Sequence, residues 1–340
     1  MSLKSIVKFA AAGALAVCWG SASMAQSVEE FYRGKTIDMI IGYTPGGGYD
    51  QYARLVSRFL GQHMPGKPQI IPRNMPGAAS FLAANYIYNV APKDGTVLGM
   101  VAQSVPLSQA MGEPALKLDS SKFPQIGSPA MDNNVVVTWK TSKIKTVTDA
   151  QKEKSIMGAT GGSTSAQFPT IMNSVLGTKF EIITGYPGGN EINFAMENGE
   201  VDGRGSVNWA SVKPLGWVEK KSVNVLVQIG LQREPDLPDV PLIFELAQNP
   251  EDEKLLRLLS APTALGRPVI TTPDVPADRV QALRDAFDKM VVDPAFLKAA
   301  AEEGLMVRPR SGKELQTIVD EIISAPPKVM SRLATFMVTK

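Results

Sequence analysis

The chain holds one cysteine, Cys18, and one histidine, His63. Too few thiols are present for a disulfide framework or a thiolate metal centre, and a transition-metal site has almost no ligands to draw on. A Ser-His-Asp triad would have to use His63, and no Gly-x-Ser-x-Gly precedes a helix around a candidate serine. At the end of a helical stripe, His63 reads first as a dipole or capping residue. Long runs of one charge are missing as well, which argues against nucleic acid as a partner. Beyond the N-terminal segment, no apolar run is long enough to cross a membrane.

Dinucleotide and phosphate fingerprints are also missing. Gly46 and Gly48 fit the first two glycines of G-x-G-x-x-G, but Gln51 stands where the third belongs, and no Gly-Lys-Ser/Thr follows the loop. No cofactor is expected.

What is present begins with Lys4 and Lys8, the apolar stretch Phe9–Trp19, and Ser23-Met24-Ala25. That order predicts a secretory signal peptide over 1–25, cleaved after Ala25, and a periplasmic product starting at Gln26. An uncleaved anchor and a lipidated Cys18 are the alternatives. Val17 stands where a lipoprotein signal wants glycine or alanine. Cleavage removes Lys4, Lys8 and no acidic residue, so the 35 basic residues fall to 33 against 33 acidic ones. A formally neutral protein does not steer partners by net charge.

The full chain of 340 residues has 44% hydrophobic and 20% charged residues, ordinary globular composition, and a length that favours two domains. Strand and helix patterns alternate through the first hundred residues. Lys35–Tyr43 reads as a strand, Asp50–His63 as an amphipathic helix, Gln69–Pro72 as a strand, Ser80–Asn89 as a helix and Thr96–Ala102 as a strand. A second series follows, with strands at Asn134–Trp139, Ser155–Ala159, Phe180–Thr184 and Val223–Ile229. Val201–Gly205 reads as a short strand and turn. Such alternation predicts parallel sheets.

Four small-residue loops join a strand to a helix: Pro45–Tyr49, Asn74–Ser80, Thr160–Ser165 and Tyr186–Asn190. In open α/β sheets these loops lie at the strands' carboxyl ends, where ligands bind. Glycine admits a ligand close to the backbone, and the following helix N-terminus favours an anion. Taken singly, each loop is equally a tight turn, with Asp50 or Ser80 as a helix cap. Tyr43, Tyr49, Tyr186 and Trp209 flank the loops, to cover a ligand or to fill the core. Arg204 and Asn208, expected in a turn, would add contacts to an anion. Glu191, Glu197, Glu200 and Asp202 are near in sequence but read as solvated positions, without an acid–base motif.

Several segments in order carry a resemblance. They are Pro45-Gly46-Gly47-Gly48-Tyr49-Asp50, Asn74-Met75-Pro76-Gly77-Ala78, Pro92-Lys93-Asp94-Gly95, Tyr186-Pro187-Gly188-Gly189, Gly199-Glu200-Val201-Asp202 and Leu237-Pro238-Asp239-Val240-Pro241. Together, over about Phe31 to Ile318, the chain resembles the extracytoplasmic solute receptors of tripartite tricarboxylate transporters, the Bug receptor family. The resemblance implies an α/β, two-domain periplasmic binding protein of the Venus flytrap, type II-like, kind with its ligand cleft between the domains. It implies a monomer that takes a small organic carboxylate, mono- or dicarboxylate, aromatic acids included, and hands it to membrane permease subunits.

By position, the family's ligand residues fall on Thr44, Gly47, Gly48, Tyr49 and Asp50, on Pro76, Gly77, Ala78 and Ala79, and on Thr160, Gly161, Gly162, Ser163, Thr164 and Ser165. Tyr43, Gln103, Tyr186, Arg204 and Asn208 complete the candidate set. The chain departs from the family pattern at several positions, Arg204 and the Gly203–Gly205 pair among them. Tyr43-Thr44 replaces a frequent Phe-Pro, Ala79 replaces a usual glycine, and Ala166 stands where a histidine is frequent. The expected domains are 31–102 plus 227–340, and 103–226, hinged near Ala102 and Leu226. An exported hydrolase or isomerase, or a ligand sensor, would use the same cleft.

Overall fold

The computed structural model describes residues 26–337; the signal peptide expected over 1–25 lies outside them. The first four strands are β1 (Thr36–Ile41), β2 (Gln69–Asn74), β3 (Val97–Met100) and β4 (Gln125–Ser128). Five more follow: β5 (Asn134–Trp139), β6 (Ser155–Gly158), β7 (Phe180–Ile183), β8 (Gly203–Asn208) and β9 (Val223–Ile229). The chain then returns to the first group with β10 (Val269–Thr271) and β11 (Arg310–Ser311). Two sheets result, ordered β11-β4-β10-β3-β1-β2 and β7-β6-β8-β5-β9.

The expected parallel pairing holds where helices connect the strands. β1 runs parallel to β2 and β3, and β6 to β7 and β8. Helical crossovers enforce that direction. Both sheets are nonetheless mixed, because β10 is antiparallel to β3 and β4 and β5 to β8 and β9. In the helix Gly48–His63, Tyr52, Leu55, Val56 and Leu60 form one buried stripe. It packs in one core with Ile37, Met39 and Ile41 of β1, while Ile40 faces the opposite layer with Phe81 and Ile87. The period of two in the strand thus meets the period of 3.6 in the helix.

The expected domain boundaries differ from the sheets. β4 lies inside 103–226 yet pairs with β10 and β11 of the first sheet. β9 crosses the proposed boundary at 226/227, but pairs with β5 continuously from Val223 opposite Trp139 to Ile229 opposite Asn134. The chain therefore passes between the sheets near 129–133, and again between β9 and β10. The C-terminal part is also shared. Met330 and Leu333 pack with Phe168 and Met172 of the second lobe. β4 reads Gln-Ile-Gly-Ser, too short and polar to show as a strand. Its partners lie more than a hundred residues away, so nothing local marks it.

Val201–Gly205 is likewise more than a turn. β8 is an interior strand, and its glycines allow close layers. A Cβ on Gly205 would lie 2.4 Å from the Ser165 carbonyl oxygen, and one on Gly203 2.4 Å from that of Val137. Ala78, Ala79 and Ser80 all adopt positive φ, at 43°, 54° and 77°. Ala79 therefore takes a left-handed conformation that a glycine adopts without strain. Ser80 Oγ accepts from the Ala102 N–H at 3.1 Å and occupies the space that a side chain on Gly42 would need.

Candidate functional site

Between the two sheets, at the carboxyl ends of β1, β3, β6 and β8, lies a cleft of ≈ 80 Å³. That is space for several waters or one small organic molecule. The first lobe contributes Tyr43, Thr44, Gly46–Tyr49, Gln51 and Ala102–Ser104. Asn134, Thr160, Ser163–Ser165, Gly189, Asn190 and Asn193 come from the other side, with Arg204, Ser206–Asn208 and Ser211. Pro214 and Leu215 close it with a small apolar wall. Among the described residues, Arg204 is the one charged side chain in this lining.

Arg204 projects from β8. Its Nε donates to the Ser206 carbonyl oxygen at 3.1 Å, and its Nη1 to Asn193 Oδ1 at 2.8 Å and the Gly189 carbonyl oxygen at 3.3 Å. These neutral acceptors orient the guanidinium without neutralising it. Burial pushes its pKa down to about 10, the cost of holding an uncompensated cation away from water.

Above it, Tyr43 and Tyr49 stack with ring centroids 4.7 Å apart at 31°. Burial raises the pKa of both phenols. The Tyr49 hydroxyl accepts from Gln103 N–H at 3.1 Å and donates to the Gly266 carbonyl oxygen at 3.4 Å. Behind Tyr49, fully buried Arg267 lies 4.8 Å from its ring centroid. Arg267 Nη2 donates to Ser211 Oγ at 2.9 Å, and its Nη1 is 3.7 Å from Asp132 Oδ1. Burial raises the pKa of Asp132, against the pull of Arg267.

Amides tie the floor of the cleft. Gln103 Nε2 donates to Asn134 Oδ1 at 2.7 Å, and Asn208 Nδ2 donates to the same oxygen at 3.1 Å. Asn134 Nδ2 donates to Ser206 Oγ and, at 3.3 Å, to Thr164 Oγ1. The loop before the helix Thr164–Leu176 caps itself. Ser163 Oγ accepts from Ser165 N–H and donates to the Thr160 carbonyl oxygen at 2.8 Å.

Of the candidate residues, Tyr43, Thr44, Gly47, Gly48, Tyr49, Gln103, Thr160, Ser163, Thr164, Ser165, Arg204 and Asn208 surround this cleft. Arg204 and Asn208 do so from a strand, not from a turn. Asp50 does not line it. Its carboxylate accepts from Gly46 N–H at 2.8 Å, Arg54 Nε at 2.8 Å and Asn74 Nδ2 at 2.7 Å, and so clamps the glycine loop from behind. Pro76, Gly77, Ala78, Ala79, Gly161 and Tyr186 border a separate crevice, which shares only Thr160 with the cleft. Gly162 packs on Ala79 and Phe81.

Strand order accounts for the loop after β2: β2 is an edge strand, so that loop stands to one side of the loop after β1, whereas the loop after β7, also an edge strand, still reaches the cleft through Gly189 and Asn190. Trp209 is a core residue whose Nε1 donates to Asp236 Oδ2 at 3.2 Å. Glu191, Glu197, Glu200 and Asp202 do not line the cleft either. Sequence reading missed Asn134, Asn193, Ser206 and Ser211, which carry no spacing signal. It also missed Arg267, whose one trace is a charge inside the apolar run Leu265–Ile270.

Two α/β lobes with a polar cleft between them define a bilobal ligand-binding protein. Residues 52–333 match the tripartite tricarboxylate transporter family receptor, and the chain belongs to that family of periplasmic receptors. It is a solute-binding receptor of the Bug type, as the sequence motifs implied. A curated relative, the UPF0065 protein in gbd 5'region of Cupriavidus necator, is 27% identical over 317 residues, covering 89% of each chain. The periplasmic binding protein BugD shares the fold at a TM-score of 0.71 and 16% identity, covering 91% of this chain and 100% of its own. MatC from Rhodopseudomonas palustris, solved with bound malate, matches at a TM-score of 0.70 and 19% identity, covering 88% and 99%. No helix among the described residues is long and apolar enough to cross a membrane.

Proposed function

We propose that the cleft captures one small organic anion by its carboxylate, that the two lobes close over it about the crossovers near 129–133 and after β9, and that the closed receptor delivers it to permease subunits in the membrane. One observation carries this reading. Arg204 is the single charged residue in the cleft lining among the described residues, and its hydrogen bonds go to carbonyl and amide oxygens. A partly buried guanidinium without a carboxylate partner is matched by an anion, and a carboxylate fits its planar fork.

The malate in MatC belongs to the same chemical class. Hydroxyls and amides line the rest of the cleft, an arrangement suited to binding rather than acid–base chemistry. Export to the periplasm with cleavage after Ala25 belongs to the same reading, and the N-terminus of the secreted protein tests it.

Calorimetric titration with a panel of carboxylic acids and their amides is the direct experiment. An acid should bind where its amide does not, and Arg204→Gln should weaken the acid about 30-fold or more, the usual cost of removing one partner of a buried charge pair. Equal binding of acid and amide would sink the reading.

A further inference from the structure

The second unmet group in the cleft is an acceptor. Gln103 is 2% exposed and lines the cleft. Its Nε2 is committed to Asn134 Oδ1 at 2.7 Å. That bond fixes which end of the amide is which, because Asn208 Nδ2 donates both to the same Asn134 oxygen and to the Asp132 carboxylate, which can only accept. The reversed amide would set Gln103 Oε1 against Asn134 Oδ1, two acceptors face to face. The remaining atom, Oε1, is buried and has no hydrogen-bond partner among the described residues. The neighbouring amide donors are spent. Asn208 Nδ2 serves Asn134 and Asp132, and Asn134 Nδ2 serves Ser206 and Thr164. The hydroxyl of Ser104, the next residue and also in the lining, is likewise buried without a partner among the described residues.

A carboxylate cannot satisfy an amide oxygen, because neither carries a proton to share. The ligand must supply a donor. An ammonium is one source, but the lining holds no carboxylate to neutralise it among the described residues, and Arg204 already places a positive charge there. A hydroxyl donates without charge, and Ser104 Oγ can return a hydrogen bond to its oxygen. We infer that the ligand is a hydroxy acid, its carboxylate on Arg204 and its hydroxyl donating to Gln103 Oε1. This rests on the carboxylate reading above and narrows it.

Matched acids that differ in one group test it on the unaltered secreted protein, by calorimetry. The pairs are lactate against propionate and malate against succinate, with alanine as the ammonium analogue. The hydroxy acid of at least one pair should bind about tenfold or more tighter than its deoxy partner, because the deoxy acid leaves a buried acceptor unmet. Alanine should bind more weakly than lactate.

In Gln103→Leu the ratio within the responding pair should shrink towards one. Its thermal unfolding curve shows whether that variant is folded, and the wild-type pairs decide the matter without it. Equal affinities within both pairs overturn the hydroxyl assignment and leave the carboxylate reading standing. Alanine binding more tightly than lactate overturns it in favour of an amino acid. If the panel of acids used above for the carboxylate reading produces no binding, that reading falls and this one with it.

Discussion

Thr44 and Glu191 meet across the cleft, where Thr44 Oγ1 donates to Glu191 Oε2 at 3.3 Å. This joins the loop after β1 to the first turn of the helix Gly189–Glu197. Glycines stand at the same junction. A Cβ on Gly188 would lie 2.2 Å from Thr44 Oγ1, one on Gly46 2.6 Å from Asn190 Nδ2, and one on Gly48 2.1 Å from Ser211 Oγ. The Pro-Gly-Gly-Gly loop is therefore also a fitting surface, thin enough for the second lobe to rest against it.

Gly48→Ala tests this. Gly48 opens a helix at ordinary negative φ, where alanine is at least as favourable. Its methyl group would meet Ser211 Oγ and stand 3.2 Å from Ser211 Cβ, so turning the hydroxyl does not clear it. Closure should cost roughly 1–2 kcal/mol, or about tenfold in ligand affinity. The melting temperature of the free protein should not fall. Calorimetry and small-angle scattering of the loaded protein read the two effects.

The pH dependence of binding follows from Arg204. Burial lowers its pKa to about 10, well below the ordinary arginine value. Between those values the unfolded chain holds the proton more firmly, so this group's contribution to stability rises with pH there. Anion affinity runs the other way, since it needs the charged guanidinium. Affinity for a carboxylate should stay level from about pH 6 to about 9 and decline as the pH passes about 10. Arg204→Lys should change that profile and bind more weakly, because an ammonium lacks the fork.

Asp50→Asn should loosen the loop from behind. Burial alone would raise this carboxylate's pKa, but hydrogen bonds from Arg54, Gly46 N–H and Asn74 outweigh it and hold the pKa below the ordinary carboxylate value. A depressed folded pKa contributes stability above the unfolded value of about 3.9, lost as the pH falls through the folded one. The asparagine variant should lose about 1–2 kcal/mol at neutral pH, and less as the pH drops below about 4. Urea unfolding at several pH values measures this.

Arg267→Met should be the most damaging of the four. It leaves Asp132 buried without its cation and should cost roughly 3–5 kcal/mol. Adding Asp132→Asn should restore part of that loss, because the stranded charge is gone. If the double variant unfolds no later than the single one, the pair is not what holds this wall.

The strand–helix alternation, the stripe Tyr52–Leu60 and the helix-opening loops after β1 and β6 were legible, because burial repeats every 2 or 3.6 residues within a few turns of chain. The glycine loop and Arg204, both expected to contact a ligand, fall in the cleft lining. Asp50 was misread, since a carboxylate at a helix start looks the same whether it faces a ligand or clamps its own loop. Arg267, Asn134 and Ser211 left no pattern, because each matters through residues far away in sequence.

By itself the sequence determined two α/β units, the small-residue loops at their strand ends and the family to which the chain belongs. Tertiary structure alone decided which loops share one cleft: the loops after the interior strands β1 and β6 line it, the loop after edge strand β7 reaches it through Gly189 and Asn190, and the loop after edge strand β2 does not. It also decided that β4 and β10 complete the first sheet. Strand order and lobe contact are set by pairing between distant segments, and local residue patterns carry no record of the distant partner.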